Sequence, residues 1–304
     1  MKKTIFTGAG VALVTPLNEK GVDFDALGKL IDFQIENGTD ALFVCCTTGE
    51  APTLEDKEHL DAIEFAVAYT AKRVPVIAGT GSNNTEHAVM MNKEAYKRGA
   101  DGLLWVTPYY NKTTQRGLLK HYETLAASVD LPSILYNVPS RTGVDLKTET
   151  VCELAKIENI VAIKEATGNV ARAAQIIAET GDKLDVYSGN DDIIVPLMSV
   201  GAKGVVSVIS NIMPKQIHDM CMLCLDDKFR DAGKLQLKYE RLISALFCEV
   251  NPIPVKTALN LMGFNAGKLR LPLYDMSDEH LELLKSAMRE HNLIDGEYLD
   301  CKST

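Results

Sequence analysis

The chain has 304 residues, of which 46% are apolar and 24% charged, with 21 Gly and 11 Pro. This is the composition of a globular protein with room for one large domain or two small ones, and it excludes collagen, an acidic disordered tail and a disulfide miniprotein. The 32 basic against 41 acidic residues give a net charge of −9, leaving no broad cationic surface for nucleic acid or an anionic membrane.

The amino terminus places two lysines ahead of an apolar run, as a secretory signal would. Thr7, Gly8 and Gly10 interrupt that run, and it ends at Thr15-Pro16 without a small-residue cleavage site, so it reads as a first strand. No apolar stretch reaches the length of a membrane span. Short apolar runs rich in β-branched residues then recur at 11–15, 41–46, 75–79, 102–107, 133–137, 161–165, 185–189 and 204–207. Their near-continuous apolarity matches strands covered on both faces. The intervening segments have helical period, as at 24–37 with Leu27, Leu30 and Ile31, and at 55–72 with Leu60, Ile63 and Ala66.

Eight alternating units predict a parallel sheet closed into a (β/α)8 TIM barrel; a doubly wound open sheet reads similarly, and the strand count favours the barrel. The barrel is expected over residues 1–226. Residues 227–304 are expected to be a C-terminal helical appendage with helices at 229–250, 254–262 and 278–292, broken at Pro252 and Pro254. Seven cysteines, Cys45, Cys46, Cys152, Cys221, Cys224, Cys248 and Cys301, are too irregular for a disulfide framework, which points to a reducing compartment and the cytoplasm.

Side chains at the C-terminal ends of barrel strands share one mouth, where chemistry is located. Those ends carry Thr15, Thr47, Thr48, Thr80, Tyr109, Tyr110, Tyr136, Asn137, Arg141, Lys164, Glu165, Ser188, Asn190 and Ser207. Lys164 needs the most explanation, because Val161-Ala162-Ile163-Lys164 sets an ammonium in an apolar strand, where charge is costly unless paired or neutralised. It is either a frayed-end lysine paired with a neighbouring acid, or an amine desolvated to attack a carbonyl. Making a lysine substantially neutral near physiological pH takes roughly 4 kcal/mol of desolvation, which a closed barrel can supply. Such an amine forms an imine with a ketone, and thence an enamine for aldol-type carbon–carbon chemistry. The hydroxyls of Tyr136, Thr48 and Tyr110 are candidates for moving its protons.

Cys46-Thr47-Thr48-Gly49-Glu50, Thr107-Pro108-Tyr109-Tyr110-Asn111, Tyr136-Asn137-Val138-Pro139-Ser140-Arg141-Thr142-Gly143 and Ile163-Lys164-Glu165-Ala166-Thr167-Gly168 together resemble the dihydrodipicolinate synthase (4-hydroxy-tetrahydrodipicolinate synthase) family, essentially end to end. The resemblance implies that Lys164 forms an imine with pyruvate, and that Tyr136, Thr48 and a Tyr110 supplied by the neighbouring subunit relay protons. It further implies that the Thr47 and Thr48 amides bind the pyruvate carboxylate, that Gly189 and Val206 line the pocket, and that Arg141 holds L-aspartate 4-semialdehyde. No metal or organic cofactor is implied, and a homotetramer built as a dimer of dimers is. GTTGE and the YNxP-type segment are shared with sialic-acid lyases, which lack the arginine and the continuation after Lys164; a keto-acid sensor without turnover is the alternative of another class.

Lysine-inhibited relatives line an interface cleft with Ser, two His, Asn and Glu, where this chain has Ala51, Asp56, His59, Asn83 and His87 beside Tyr109. Loss of the acid at His87 predicts weak or absent lysine feedback. Three further motifs point elsewhere only faintly. Gly79-Thr80-Gly81-Ser82-Asn83-Asn84 lacks the third glycine of a dinucleotide fingerprint and reads as a tight turn with a helix cap. His218, Cys221 and Cys224 lie in an apolar helix and read as core more than zinc ligands, while Asp191-Asp192 reads as a helix cap.

Overall fold

A computed structural model describes residues 2 and 4–295. Eight parallel strands close into a barrel: β1 (Gly8–Ala12), β2 (Ala41–Val44), β3 (Val76–Gly79), β4 (Gly102–Val106), β5 (Ser133–Asn137), β6 (Ile160–Glu165), β7 (Asp185–Ser188) and β8 (Gly204–Ser207). Each is followed by its helix: α1 (Phe24–Glu36), α2 (Asp56–Thr70), α3 (Thr85–Lys97), α4 (Gln115–Ala126), α5 (Thr148–Leu154), α6 (Val170–Thr180), α7 (Ile194–Ser199) and α8 (Pro214–Leu225). Asp23, Asn84, Thr114 and Asn169 accept first-turn N–H groups with their side chains, which fixes where α1, α3, α4 and α6 begin.

The (β/α)8 expectation holds, with seven strands within one or two residues of their expected limits. The first is displaced: the strand is Gly8–Ala12, not 11–15. Gly8 and Gly10 resemble strand breakers, yet both belong to the strand because neighbours occupy the space of a side chain. A Cβ on Gly8 would lie 2.2 Å from Asp40 Oδ2, and one on Gly10 would lie 2.7 Å from the Phe43 ring. A hairpin of Leu17–Asn18 against Gly21–Val22 escapes sequence reading because two residues carry no period.

Alternation along the strands sorts the core into two parts. Ala162, Tyr136, Tyr187, Val206 and Phe43 face the barrel interior, while Ile163, Leu135, Val186 and Val205 face the helices. The interior is closed toward the amino-terminal end by Phe6, whose ring stacks on Tyr187 at 4.3 Å and meets Phe43 edge-on at 5.7 Å. Tyr187 also donates its hydroxyl hydrogen to the Phe6 carbonyl at 2.6 Å.

After α8 come α9 (Phe229–Leu246), α10 (Ile253–Leu261) and α11 (Asp278–Arg289), shorter than the expected 229–250 and 278–292. Helix α9 packs on α7 and α8, and α10 on α11, so the appendage lies against the last barrel units. The end of the expected 227–304 segment, with Cys301, lies outside the described residues. No helix among the described residues is long and apolar enough to cross a membrane.

Candidate active site

Lys164 is the fifth residue of β6 and shares the inward face with Ala162; its side chain is only 5% exposed. The strand register sets it level with Tyr136 on β5 and Tyr187 on β7. Its Nζ stands 4.3 Å from the centroid of the Tyr136 ring, and among the described residues it makes no ion pair or hydrogen bond. The adjacent acid does not pair with it. Glu165 points to the opposite face, where its carboxylate accepts from Asn137 Nδ2 (3.2 Å), Arg172 Nε (3.2 Å) and the Thr167 N–H (2.9 Å). Asn137 also accepts the Leu146 N–H at 3.0 Å, and Arg172 donates to the Leu146 carbonyl. This clamp ties the ends of β5 and β6 together and fixes the Lys164–Tyr136 pair from behind.

A cavity of about 430 Å³ has Cys46, Thr47, Tyr136 and Arg141 among its walls; Lys164 and Thr48 do not line it, and Tyr136 joins the lysine to it. The loop from Cys45 to Glu50 is held by left-handed backbone at both ends, with φ of 53° at Cys45 and 54° at Glu50. Buried Glu50 anchors it, accepting from Lys256 Nζ at 2.5 Å and from the Arg270 N–H at 3.0 Å. Within this loop the Thr47 and Thr48 N–H groups have no hydrogen-bond partner among the described residues, as a carboxylate-binding turn requires. The Thr48 hydroxyl is buried and accepts from Asn251 Nδ2 at 3.0 Å.

Arg141 sits on the single helical turn Pro139–Thr142, whose Gly143 ends it with a left-handed φ of 67°. It reaches the cavity wall and donates from Nη2 to the Asn251 carbonyl at 3.1 Å. The Gly189 N–H donates to the Glu165 carbonyl at 2.8 Å, and a Cβ on Gly189 would meet Ala166 at 2.6 Å, so only glycine fits there. Val206 lies on the inward face of β8.

Tyr110 is the exception. Its side chain is 90% exposed and its backbone is left-handed at φ 67°, so it stands away from its own chain's mouth, while Tyr109 lines the cavity. A convergence of three hydroxyls on Lys164 is therefore not formed within one chain.

Ala51, Asp56, His59, His87 and Tyr109 line the other side of the same cavity. Asn83 donates from Nδ2 to the Tyr109 carbonyl at 3.2 Å. His87 Nε2 stands 2.9 Å from Asp56 Oδ1, so the cleft keeps a carboxylate, shifted to another helix. His59 contacts the Gly79 carbonyl through Nε2 at 2.8 Å, and burial lowers its pKa.

The remaining motifs resolve as packing. A Cβ on Gly79 would approach the Cys45 carbonyl to 2.2 Å and one on Gly81 the Val106 nitrogen to 2.4 Å; Asn84 caps α3. Cys221 and Cys224 are buried, and His218 Nδ1 lies 2.9 Å from Asp40. Burial pushes the Cys46 thiol up to about 12. Asp191 does not cap its own helix: Oδ2 accepts the Val208 and Ile209 N–H groups at 2.9 and 3.0 Å, securing the end of β8.

Sequence reading missed Asn251 and Lys256. A signal for Lys256 was present, since a lysine among Val255, Ala258 and Leu259 poses the same question as Lys164. Asn251 carries none, because only the folded chain brings it to a threonine about two hundred residues away.

Residues 5–291 match the model of the dihydrodipicolinate synthetase family. The 4-hydroxy-tetrahydrodipicolinate synthase of Acetivibrio thermocellus is 53% identical over 294 residues, covering 97% of this chain and all of that protein. Among solved structures, the dihydrodipicolinate synthase from Aquifex aeolicus superposes with a TM-score of 0.93 at 48% identity, covering 95% of this chain and 99% of that one. The chloride-inhibited dihydrodipicolinate synthase from Acinetobacter baumannii, complexed with pyruvate, gives a TM-score of 0.93 at 46% identity and covers 96% and 100%.

Proposed function

This chain belongs to the dihydrodipicolinate synthetase family, and from that premise we propose that it condenses pyruvate with L-aspartate 4-semialdehyde to 4-hydroxy-tetrahydrodipicolinate, the first committed step of diaminopimelate and lysine biosynthesis. The observation that carries this reading is the buried amine of Lys164, unpaired among the described residues and laid against the Tyr136 ring. A lysine nitrogen at the end of a barrel strand, with no acid to hold it, is placed to attack a carbonyl carbon.

In this reading the Lys164 nitrogen attacks C2 of pyruvate, and the carbinolamine loses its oxygen as water to leave an imine. The imine draws electrons from the neighbouring methyl group, which gives up a proton and becomes an enamine. The enamine carbon attacks the semialdehyde carbonyl carbon, the new alkoxide takes a proton, and the substrate's own amine displaces Lys164 as the ring closes. Tyr136, Thr48 and Tyr110 from a neighbouring subunit are the hydroxyls that carry these protons. The free amides of Thr47 and Thr48 suit the pyruvate carboxylate, and the Arg141 fork suits that of the semialdehyde. Gly189 and Val206 keep the pocket narrow.

Borohydride reduction with pyruvate is expected to leave a stable adduct on Lys164, absent in Lys164→Ala. A wild-type protein that takes up no adduct would defeat the reading. A reductase-coupled assay with pyruvate and aspartate semialdehyde distinguishes the synthase from a non-catalytic sensor, and consumption of pyruvate with N-acetylmannosamine tests the lyase. Assembly as a dimer of dimers in the cytoplasm belongs to the same proposal. The exposed Tyr110, which a single chain leaves without a role, supports contact with a second subunit.

A further inference from the structure

We propose that Asn251 is a positioning residue of this active site, which sets the direction in which the Thr48 hydroxyl passes its proton and holds Arg141 at the mouth. The inference rests on the reading of the site given above. Asn251 lies just ahead of α10, is 6% exposed, and is the point where the C-terminal segment meets the catalytic loop. Its Nδ2 lies 3.0 Å from Thr48 Oγ1, and its backbone carbonyl accepts from Arg141 Nη2 at 3.1 Å. One residue thus touches both Thr48 and Arg141.

The chemistry of the two partners dictates the direction. An amide nitrogen carries two hydrogens and no available lone pair, so it only donates; a hydroxyl donates one hydrogen and accepts through its lone pairs. With Asn251 as donor, Thr48 is held as acceptor and its own hydrogen is turned elsewhere; among the described residues nothing takes it. In this proposal the hydrogen is left for the reacting oxygen or for the phenol of Tyr136, a residue of the cavity wall. A hydroxyl that first had to satisfy an acceptor at residue 251 would point its hydrogen away from the chemistry. The amide oxygen Oδ1 of Asn251 is buried without a partner among the described residues.

The test is Asn251→Asp, which keeps the shape and exchanges the donor for a carboxylate. Thr48 must then donate to residue 251. Turnover is expected to fall about 100-fold, the lower end of the contribution of a positioned proton-transfer group, with little change in KM for pyruvate. Because a protonated carboxyl can donate again, the deficit should shrink as the pH is lowered, a response that a merely structural role would not give. In a Thr48→Val background the same substitution should cost little more, since both changes disable one element. Borohydride trapping with pyruvate should still label Lys164 in Asn251→Asp; failure to label the wild type would instead condemn the underlying reading. Undiminished turnover in Asn251→Asp, or a full additional loss in the Thr48→Val background, would overturn the proposal. Asn251→Ser, folded by circular dichroism and retaining a hydroxyl donor, is expected to keep more activity than Asn251→Asp, and the reverse order would also overturn it.

Discussion

Removing the guanidinium of Arg141 should separate the two substrates. Arg141→Ala is expected to leave the pyruvate adduct on Lys164 intact while weakening use of the semialdehyde about 10- to 100-fold in kcat/KM, the worth of a charge-assisted hydrogen bond of ~1.5–3 kcal/mol. Equal loss of adduct formation would show that Arg141 supports the pyruvate site. His121 gives a pH prediction. Its ring is buried, Nδ1 meets Thr85 Oγ1 at 2.9 Å, Nε2 has no partner among the described residues, and burial lowers the pKa from 6.5 to about 4. The unfolded state therefore binds a proton first on acidification. Stability at neutral pH is unaffected by this group and is lost as the pH falls from about 6.5 to about 4, by up to ~3 kcal/mol. In His121→Gln the fall in melting temperature over that window should be shallower than in the wild type; an unchanged acid limb would refute the assignment.

Helix α10 and the loop after β2 are joined by the pair Lys256–Glu50, the two side chains 1% and 0% exposed. Burial lowers the Lys256 pKa, with Glu50 opposing the shift. Breaking a pair of this kind leaves an unpaired charge in the interior, so Lys256→Met is expected to destabilise the fold by ~3–5 kcal/mol, and to reduce activity because Glu50 ends the loop that offers the Thr47 and Thr48 amides. A denaturation midpoint equal to the wild type would contradict this. The strands were readable because each is buried on both faces and so nearly all apolar; their helices were readable from period. The turns were not. Gly8 and Gly10 mimic breakers while serving close packing, and the Asp191 carboxylate crosses to the start of the segment after β8 where local reading saw a cap. Lys164 stood out because a charge inside an apolar strand is conspicuous in one dimension. Asn251 did not, since a polar residue beside two prolines looks like any loop.

For the whole molecule, Tyr110 makes a prediction about assembly. Its exposed ring and left-handed backbone fit a residue delivered to another copy. Mixing Lys164→Ala with Tyr110→Phe subunits under exchange should therefore recover activity above either parent, because one hybrid site then has its own lysine and its neighbour's tyrosine. Exchange without recovery would return Tyr110 to the surface. The cleft around His59, Asn83 and Tyr109 places Asp56 against His87, so its carboxylate is already engaged, and lysine feedback is expected to be weak or absent. Inhibition at micromolar to low millimolar lysine would contradict this. Asn251 and Lys256 both lie beyond residue 226, so the helical appendage is bound to the chemistry and not merely attached to the barrel.

Among the described residues, the stacked rings of Phe6 and Tyr187 fill the cylinder toward its amino-terminal end. With that end filled, the keto acid, the expelled water, the aldehyde and the cyclic product would share the opposite end. Occupancy is then self-limiting. An excess of either reactant can block the exit of what the other has made, and widening the rear by Phe6→Ala would give traffic a second route only by letting bulk solvent reach the amine.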